Sequence, residues 1–485
     1  MIRKRLIATS LALALAGHAV AAEQELQLPE LGDSTSSLIS GEQEHELGRA
    51  WLKAFRSQVR TIDDPLLQSY LEDLIYRLAS HSKLKDRRLE VVVVDNPTMN
   101  AFAVPGGVVG VHNGLFLFAD TEAQMASVLG HELAHLSQRH FARSVEQQQR
   151  SSLPTLAGIL GSLVLAATAG GDAGMAAMTA TQAAALQNRL NYSRQNEQEA
   201  DRIGMETIVE AGYDPNAVAA MFDNMMAATR YAGRRPPEFL MTHPLTESRI
   251  SDARNRARDY PRSMYVDNID YQLMRVRAEL QLSANAAEAI KRFRASLDKS
   301  GAAQGNDAVA DHYGLALAYL KNSEPAKAHA ELAPLIARDP DRLAYIIAAA
   351  DIDITNGKVD AALARLEKAL RISPDNHPLT MSYANALLQS KQPQRAEAVL
   401  AAHVKRRPND PAIWYQLAEV HGLAGNIVGV HQARAEYFVL VGALDQATRQ
   451  LGYALPLVRD NRLATARIEE RIREIEKMKD AMGKL

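Results

Sequence analysis

Prolines at 340, 374 and 408 stand 34 residues apart, inside the stretches ARDPDR, RISPDN and RRPNDP. Small residues run in phase with them: Ala316, Ala350, Ala384 and Ala418, and a second set, Ala328, Ala362 and Ala396. Leu332, Leu366 and Leu400 hold a large apolar position at the same period. A fixed period of this length means stacked helix pairs, because each unit is too small to bury its own apolar face and must pack on the next. The small residues let the two helices of a pair come close, and the leucines fill the space between pairs. The spacing is that of tetratricopeptide repeats, and Trp414 falls where those repeats often carry tryptophan. The phase is lost after about residue 425, in GNIVGVHQARAEYF, and the charged amphipathic RIEERIREIEKMKD reads as a capping helix. An array of this kind presents a concave surface to a partner.

The chain has 485 residues, enough for two or three domains. Its first 22 residues stand apart. MIRKR is basic, LIATSLALALAG is apolar and HAVAA offers small residues for cleavage, so residues 1–22 read as a secretory signal peptide cut after Ala21 or Ala22. A bacterial periplasm is the expected destination. There is no cysteine. That excludes disulfides, a thiol nucleophile and cysteine-held metal, and leaves an exported chain to rely on core size or a bound metal. The formal net charge of -2 gives no basic excess for nucleic acid, which is not an expected partner. Residues 23–40, polar and serine-rich, read as a flexible arm. Residues 41–265 and 266–485 are the expected large domains, the second being the repeats.

In DDPLLQSYLEDLIYRLAS, Asp64 suits an N-cap and Pro65 the first helical turn. Leu67, Tyr70, Leu71, Leu74 and Leu78 then make one apolar stripe. The β-branched run RLEVVVVDN, residues 88–96, predicts a strand. AFAVPGGVVGVHNGLF, residues 101–116, predicts a turn and then a second strand, VVGVHN at 108–113. That strand is either an edge on which an extended substrate adds or a strand paired within the sheet. Asp120 or Thr121 caps the helix that follows. Residues 151–188 carry a single charge, Asp172, along with Pro154 and several glycines. Three readings stay open for them: a membrane span, a buried or lid-like helical pair, or a surface that touches membrane or client. From Leu190 to about Arg262 the sequence is helical again, around the loop RRPPEFLMTHPLTESR.

Of the 14 histidines only His131 and His135 are four apart, in HELAH. On a helix both imidazoles point the same way and reach one metal ion. Glu132, about 100° round the helix, stands beside that ion, where it can act as general base toward water. A catalytic zinc, one per chain, needs a third protein ligand and an open position. YSRQNEQEADRIG, residues 192–204, places Arg194, Glu197 and Asp201 on one helical face. Glu197 is the expected third ligand, and Asp201 is expected to hold a ligand histidine by its other ring nitrogen. Glu199 falls on the opposite face and is expected to pair with Arg202 at the surface. His140, half a turn round from His131, is read as structural. His243 precedes a proline in a loop, and such loops gather function. It is expected over the metal, as a hydrogen-bond donor to the transition state or as a fourth ligand that silences the site; a plain surface turn is the third reading. Arg249 is either a clamp on a carbonyl or on the loop, or a structural ion pair.

The set NAFAVPGG (100–107), HELAH (131–135), SRQNEQEAD (193–201) and THPLTESRI (242–250) resembles the HtpX-like and CAAX-prenyl-protease-like zinc peptidases. The resemblance implies zinc bound by His131, His135 and Glu197, with Glu132 as general base and Asp201 behind the ligands. With a signal peptide in front and repeats behind, it also implies periplasmic quality control of unfolded or stalled outer-membrane β-barrel proteins, with the barrel assembly machinery as partner. The membrane helices of the integral-membrane relatives are missing or reduced to 151–188. The fold expected is mainly α: a zincin-like α+β metallopeptidase domain with a small sheet, followed by an α-solenoid of tetratricopeptide repeats. Two other functions stay open: a chaperone or scaffold of barrel assembly with a silent site, and an intramembrane peptidase.

Overall fold

The computed structural model describes residues 40–147, 194–231, 237–261, 264–300 and 305–483. The expected signal peptide, all but the last residue of the expected arm, and residues 151–188 lie outside them. The described chain opens with α1 (Gly41–Gln58) and α2 (Pro65–Ser80). Ser40 and Gln43 form a reciprocal capping box on α1. Asp64 caps α2 by accepting from the amides of Leu66 and Leu67, and Pro65 takes the first position, as the sequence predicts. Leu67, Leu71, Leu74 and Leu78 of its stripe are buried.

β1 (Glu90–Val94), β2 (Ala101–Val104) and β3 (Val108–His112) form one sheet in the order β1-β3-β2, with β1 parallel and β2 antiparallel to β3. Two expectations are corrected here. AFAV is a strand of its own, and the turn lies at residues 105–107, where Gly106 and Gly107 have φ of +84° and +79°. A Cβ on Gly106 would stand 2.3 Å from the Glu44 carbonyl oxygen, so only glycine fits. The strand at 108–113 is not an edge. The tight turn folds β2 back onto one side of β3 while β1 takes the other, so the open edges are β2 and β1. The outer side of β1 is blunted: the Ile62 amide donates to the Val93 carbonyl, and Gln68 Nε2 and Tyr76 OH donate to the carbonyls of Val91 and Leu89.

Next come α3 (Leu115–Phe118), α4 (Glu122–Ser137), α5 (His140–Gln147), α6 (Arg194–Glu210), α7 (Asn216–Tyr231), α8 (Glu238–Thr242) and α9 (Glu247–Ala257). Thr121, not Asp120, caps α4. The array then runs through α10 (Ile269–Leu282), α11 (Ala286–Ser300), α12 (Asn306–Lys321), α13 (Pro325–Arg338), α14 (Leu343–Thr355), α15 (Val359–Ile372), α16 (His377–Gln389), α17 (Pro393–His403), α18 (Pro411–Leu423), α19 (Ile427–Leu440), α20 (Leu444–Ala454) and α21 (Arg462–Gly483). Every alanine and leucine of the periodic set is buried. The second helices of successive pairs begin at Pro325, Val359, Pro393 and Ile427, so the 34-residue step outlasts the side-chain pattern. Ala433 and Ala435 take over as the buried small residues where that pattern frays.

Among the described residues the array meets the first part of the chain at several places, and three of them span its length. On α10, Tyr271 stacks on Phe116 and donates to the Ala119 carbonyl, while Arg277 binds the Asp64 carboxylate at 2.7 and 3.0 Å. Arg407 donates to Glu72 of α2 at 2.7 and 2.9 Å. Gly442 packs on the Lys53 carbonyl oxygen, which an added Cβ would approach to 2.4 Å.

Next to Arg407, the buried rings of His377 and His403 stack 5.2 Å apart, with His377 Nδ1 2.9 Å from His403 Nε2. Burial, aided by the Arg407 charge, pulls His377 down to about 3, and burial likewise lowers His403. Both rings are therefore neutral in the fold and protonate more readily in the unfolded chain. Their contribution is complete above the ordinary value of 6.5 and declines as pH falls from there toward about 3. Replacing His377 by Asn should flatten this acid loss. Between about pH 7 and about pH 4.5, urea unfolding should take at least ~1 kcal/mol more stability from the wild type than from the variant. Identical pH profiles would remove the pair as the cause.

Candidate metal centre

α4 and α6 cross at two glycines. A Cβ on Gly204 would stand 2.9 Å from the His131 amide nitrogen, and one on Gly130 would stand 3.0 Å from Ile208 Cγ2. This close approach sets Glu197 and Asp201 of α6 against His131 and His135 of α4. The short helix α8 then brings in His243, whose amide closes that helix on the Phe239 carbonyl.

His131, His135, Glu197 and His243 are all buried and offer four ligand atoms to one point. His131 Nε2 lies 3.0 Å from His135 Nε2, 3.4 Å from His243 Nδ1 and 3.5 Å from Glu197 Oε2. Glu197 Oε1 lies 3.1 Å from His243 Nδ1 and 3.5 Å from His135 Nε2. Four donors about 2.0–2.1 Å from a tetrahedral ion stand roughly 3.3–3.4 Å from one another, so the set fits a metal ion. Charge agrees. Three carboxylates (Glu132, Glu197, Asp201) and one guanidinium (Arg249) are buried here, and three less one leaves two negative charges for a divalent ion to balance.

Each histidine of the HELAH pair is held from behind. His131 Nδ1 is 3.0 Å from Asp201 Oδ1, as the sequence predicts for Asp201. Arg249 clamps Asp201 at 2.7 and 2.8 Å, reaches Glu197 at 3.0 Å, and donates to the Pro244 carbonyl at 2.9 Å. It is thus both an ion pair and a clamp on the His243 loop. His135 is held by a chain that the sequence reading missed. Its Nδ1 is 2.8 Å from His140 Nδ1; His140 Nε2 is 3.2 Å from Glu199, and Arg143 donates to the same oxygen at 3.0 Å. Glu199 is therefore a partner of His140 and Arg143 rather than of Arg202. Rotation along one continuous helix misplaced His140, because α4 ends at Ser137 and Arg139 takes a φ of +49° that turns the chain back. The available signal was a second His followed by Arg at the helix end, with an unexplained acid on α6. Arg194 is exposed and joins neither group.

Burial opposes charge on His131, yet the Asp201 and Glu197 carboxylates lift its ring to about 10. They demand positive charge at this point, which a metal supplies without a proton. Burial holds His135 well below its ordinary value, in the neutral form that ligates. Burial works against the Glu197 charge too, but the His243 and His131 rings outweigh it and keep the carboxylate ionised. Glu132 is pushed up by burial, and its Oε1 has no hydrogen-bond partner among the described residues; His243 Nε2 is 3.6 Å away.

The Glu132 carboxylate lies against the backbone of Ala103 on β2. The His112 amide donates to the Asn100 carbonyl, so by alternation the backbone groups of Ala101 and Ala103 face the open side of β2. At the start of that edge the Phe239 amide donates to the Met99 carbonyl, which seats α8 on it.

Fold and site together define a metallopeptidase followed by a tetratricopeptide array. Residues 65–257 match peptidase family M48, and residues 313–377 and 354–420 match tetratricopeptide repeats. The chain is 36% identical over 483 residues to the β-barrel assembly-enhancing protease of Escherichia coli (strain K12), covering 99% of this chain and 98% of that one. It is 37% identical over 457 residues to a putative β-barrel assembly-enhancing protease of Vibrio cholerae, covering 94% of each. It is 31% identical over 204 residues to the mitochondrial metalloendopeptidase OMA1 of Schizosaccharomyces pombe, covering 41% of this chain and 57% of that one. The chain belongs to the β-barrel assembly-enhancing protease family.

His140→Ala should weaken metal binding about 10- to 100-fold by releasing the His135 ring. Competition with a chromophoric chelator measures this, and an unchanged affinity would leave His140 without that role.

Proposed function

We propose that the chain is a periplasmic zinc endopeptidase, with residues 41–265 as its catalytic part and 266–485 as its repeat domain. Its proposed substrates are unfolded or stalled outer-membrane β-barrel proteins, and its proposed partner is the barrel assembly machinery. The observation that carries the chemistry is the set of five contacts among the ligand atoms of His131, His135, Glu197 and His243. The names and full-length coverage of the relatives support the substrate class. The expected signal peptide, cut after Ala21 or Ala22, supports the compartment. Among the described residues no helix is long and apolar enough to cross a membrane.

His131, His135 and Glu197 hold the zinc, and Asp201, Arg249 and His140 position them. The bound ion supplies Lewis acidity toward a peptide carbonyl and a water molecule. Glu132 takes the proton of the attacking water and hands it to the leaving amine. Burial raises its affinity for protons, the direction that accepting one requires. A substrate extended along the open side of β2 would hydrogen-bond to Ala101 and Ala103, next to Glu132. Recognition through the main chain asks little of sequence, which suits unfolded clients.

His243 supports a second reading, latency. With His243 as fourth donor the site is closed, and closed four-coordinate zinc is structural rather than catalytic. In that state the protein would act as a chaperone or scaffold through its repeats. His243→Ala should retain about one zinc per chain by elemental analysis and hydrolyse casein faster than wild type; unchanged hydrolysis and zinc affinity would end the latent reading. Adding Glu132→Gln to His243→Ala should keep the zinc and slow hydrolysis by about 10²-fold or more. Undiminished cleavage would end the peptidase mechanism.

A further inference from the structure

Among the described residues 13 large apolar side chains stand exposed, and five of them gather at one end of the array: Leu423, Ile427, Tyr453, Leu457 and Leu463. Each is between 51% and 63% exposed. The path of the chain explains the grouping. α18 turns into α19 between Leu423 and Ile427. α20 leads through Leu455–Leu457 into α21, which begins at Arg462. α19 and α20 pack antiparallel, with the His431 ring 5.6 Å from Tyr453 and His431 Nδ1 2.8 Å from Gln450 Oε1. Both turns therefore lie at the same end of the helices. A lone exposed leucine needs no explanation, but a cluster on two adjacent turns does.

Arginines stand behind these side chains at helical offsets. On α19, Arg434 lies seven residues beyond Ile427; on α20, Arg449 lies four before Tyr453; on α21, Arg467 lies four beyond Leu463. Steps of four and seven keep two side chains on one helical face. At ~1.5 Å per residue they set each arginine about 6–10 Å further from the tip than its apolar partner. On α18 the residue four before Leu423 is Glu419, so three helices share the arrangement and the fourth does not. Arg459 and Arg462 stand at the tip itself, and all five arginines are exposed. None of the five has an ion pair among the described residues. Asp445, near Arg449, is held by Lys479 at 2.7 Å, while Glu436 is held by Arg471 and Glu470 by Arg473. Glu419, Asp460 and Glu469 remain, three carboxylates against five guanidiniums.

An apolar tip with arginine one or two turns behind it has the depth profile of a phospholipid leaflet, where acyl chains lie beneath a layer of phosphates. The long arginine stem lets the guanidinium reach that layer while its helix stays outside. A second copy of the chain fits less well. A symmetric contact sets this patch against itself, and with it the unpaired arginines of each copy against those of the other. We infer that this end of the array docks on an anionic phospholipid surface, with Ile427, Tyr453, Leu457 and Leu463 among the upper acyl chains and Arg434, Arg449 and Arg467 on lipid phosphates. The contact is peripheral, made by helix ends, and it depends on no step at the metal centre.

The test is flotation of the full chain on a density gradient with vesicles of phosphatidylcholine and phosphatidylglycerol in equal parts. The parent chain should float with them. Leu457→Ser combined with Leu463→Ser should lower its partition onto the vesicles about tenfold or more. Arg449→Gln combined with Arg467→Gln should lower it by a similar factor, as should vesicles of phosphatidylcholine alone. Ile372→Ser serves as the control: this side chain of α15 is 69% exposed, away from the tip, and its loss should leave flotation unchanged. Every substituted side chain is exposed, so the melting temperatures should match that of the parent. A parent that stays at the bottom of the gradient overturns the inference. So does undiminished flotation of either double variant, equal flotation on the uncharged vesicles, or an equal loss with Ile372→Ser. A dimer seen by sedimentation that the paired leucine substitutions dissolve would also overturn it, by giving the patch to a second copy.

Discussion

Buried negative charge is the constraint around which the first part of the chain is arranged. Glu197 and Asp201 sit one turn apart on α6, and Glu132 faces them from α4. Three carboxylates cannot share a water-poor interior unless positive charge is supplied from close by. Arg249 supplies one part and touches both acids of α6. The remainder falls at the point where His131, His135 and Glu197 converge, which is where an ion would rest. The two glycines at the helix crossing make this convergence possible, since a side chain at Gly204 would push the carboxylates away from the imidazoles.

The same arrangement connects the centre to what surrounds it. α8 rests on the start of the β2 edge through Phe239, and it carries His243 into the ligand set. One short segment therefore touches the start of the β2 edge and also brings a fourth donor to the candidate metal centre. Arg249 adds to this coupling by holding the Pro244 carbonyl with the same guanidinium that holds Asp201 and Glu197.

Periodic features could be read directly from the chain. Alanines and leucines at a step of 34 revealed the array, and histidines four apart revealed half of the candidate donor set. Glu197 and Asp201 could be read because α6 continues unbroken through both. His140 could not, since its position depends on the left-handed turn at Arg139, which no helical-wheel argument anticipates. The identity of the edge strand was hidden for a similar reason. The run at 108–113 is the more strand-like in composition, yet pairing is decided by the two glycines that fold the shorter AFAV segment back upon it. The end of the array kept its geometry after losing its pattern, since Ala433 and Ala435 bury small side chains at shifted positions.

An isolated solenoid behaves as a spring, with repeats that fray from either end and curvature that responds to load. Here Asp64, Glu72 and Lys53 fasten the array at its beginning, its middle and near its far end, all to the first two helices. A spring tied along its length to a rigid bar can neither stretch nor uncoil on its own. Any pull on a client gripped by the repeats would be borne by α1 and α2, and α2 packs in the same apolar core as the helix that carries His131 and His135.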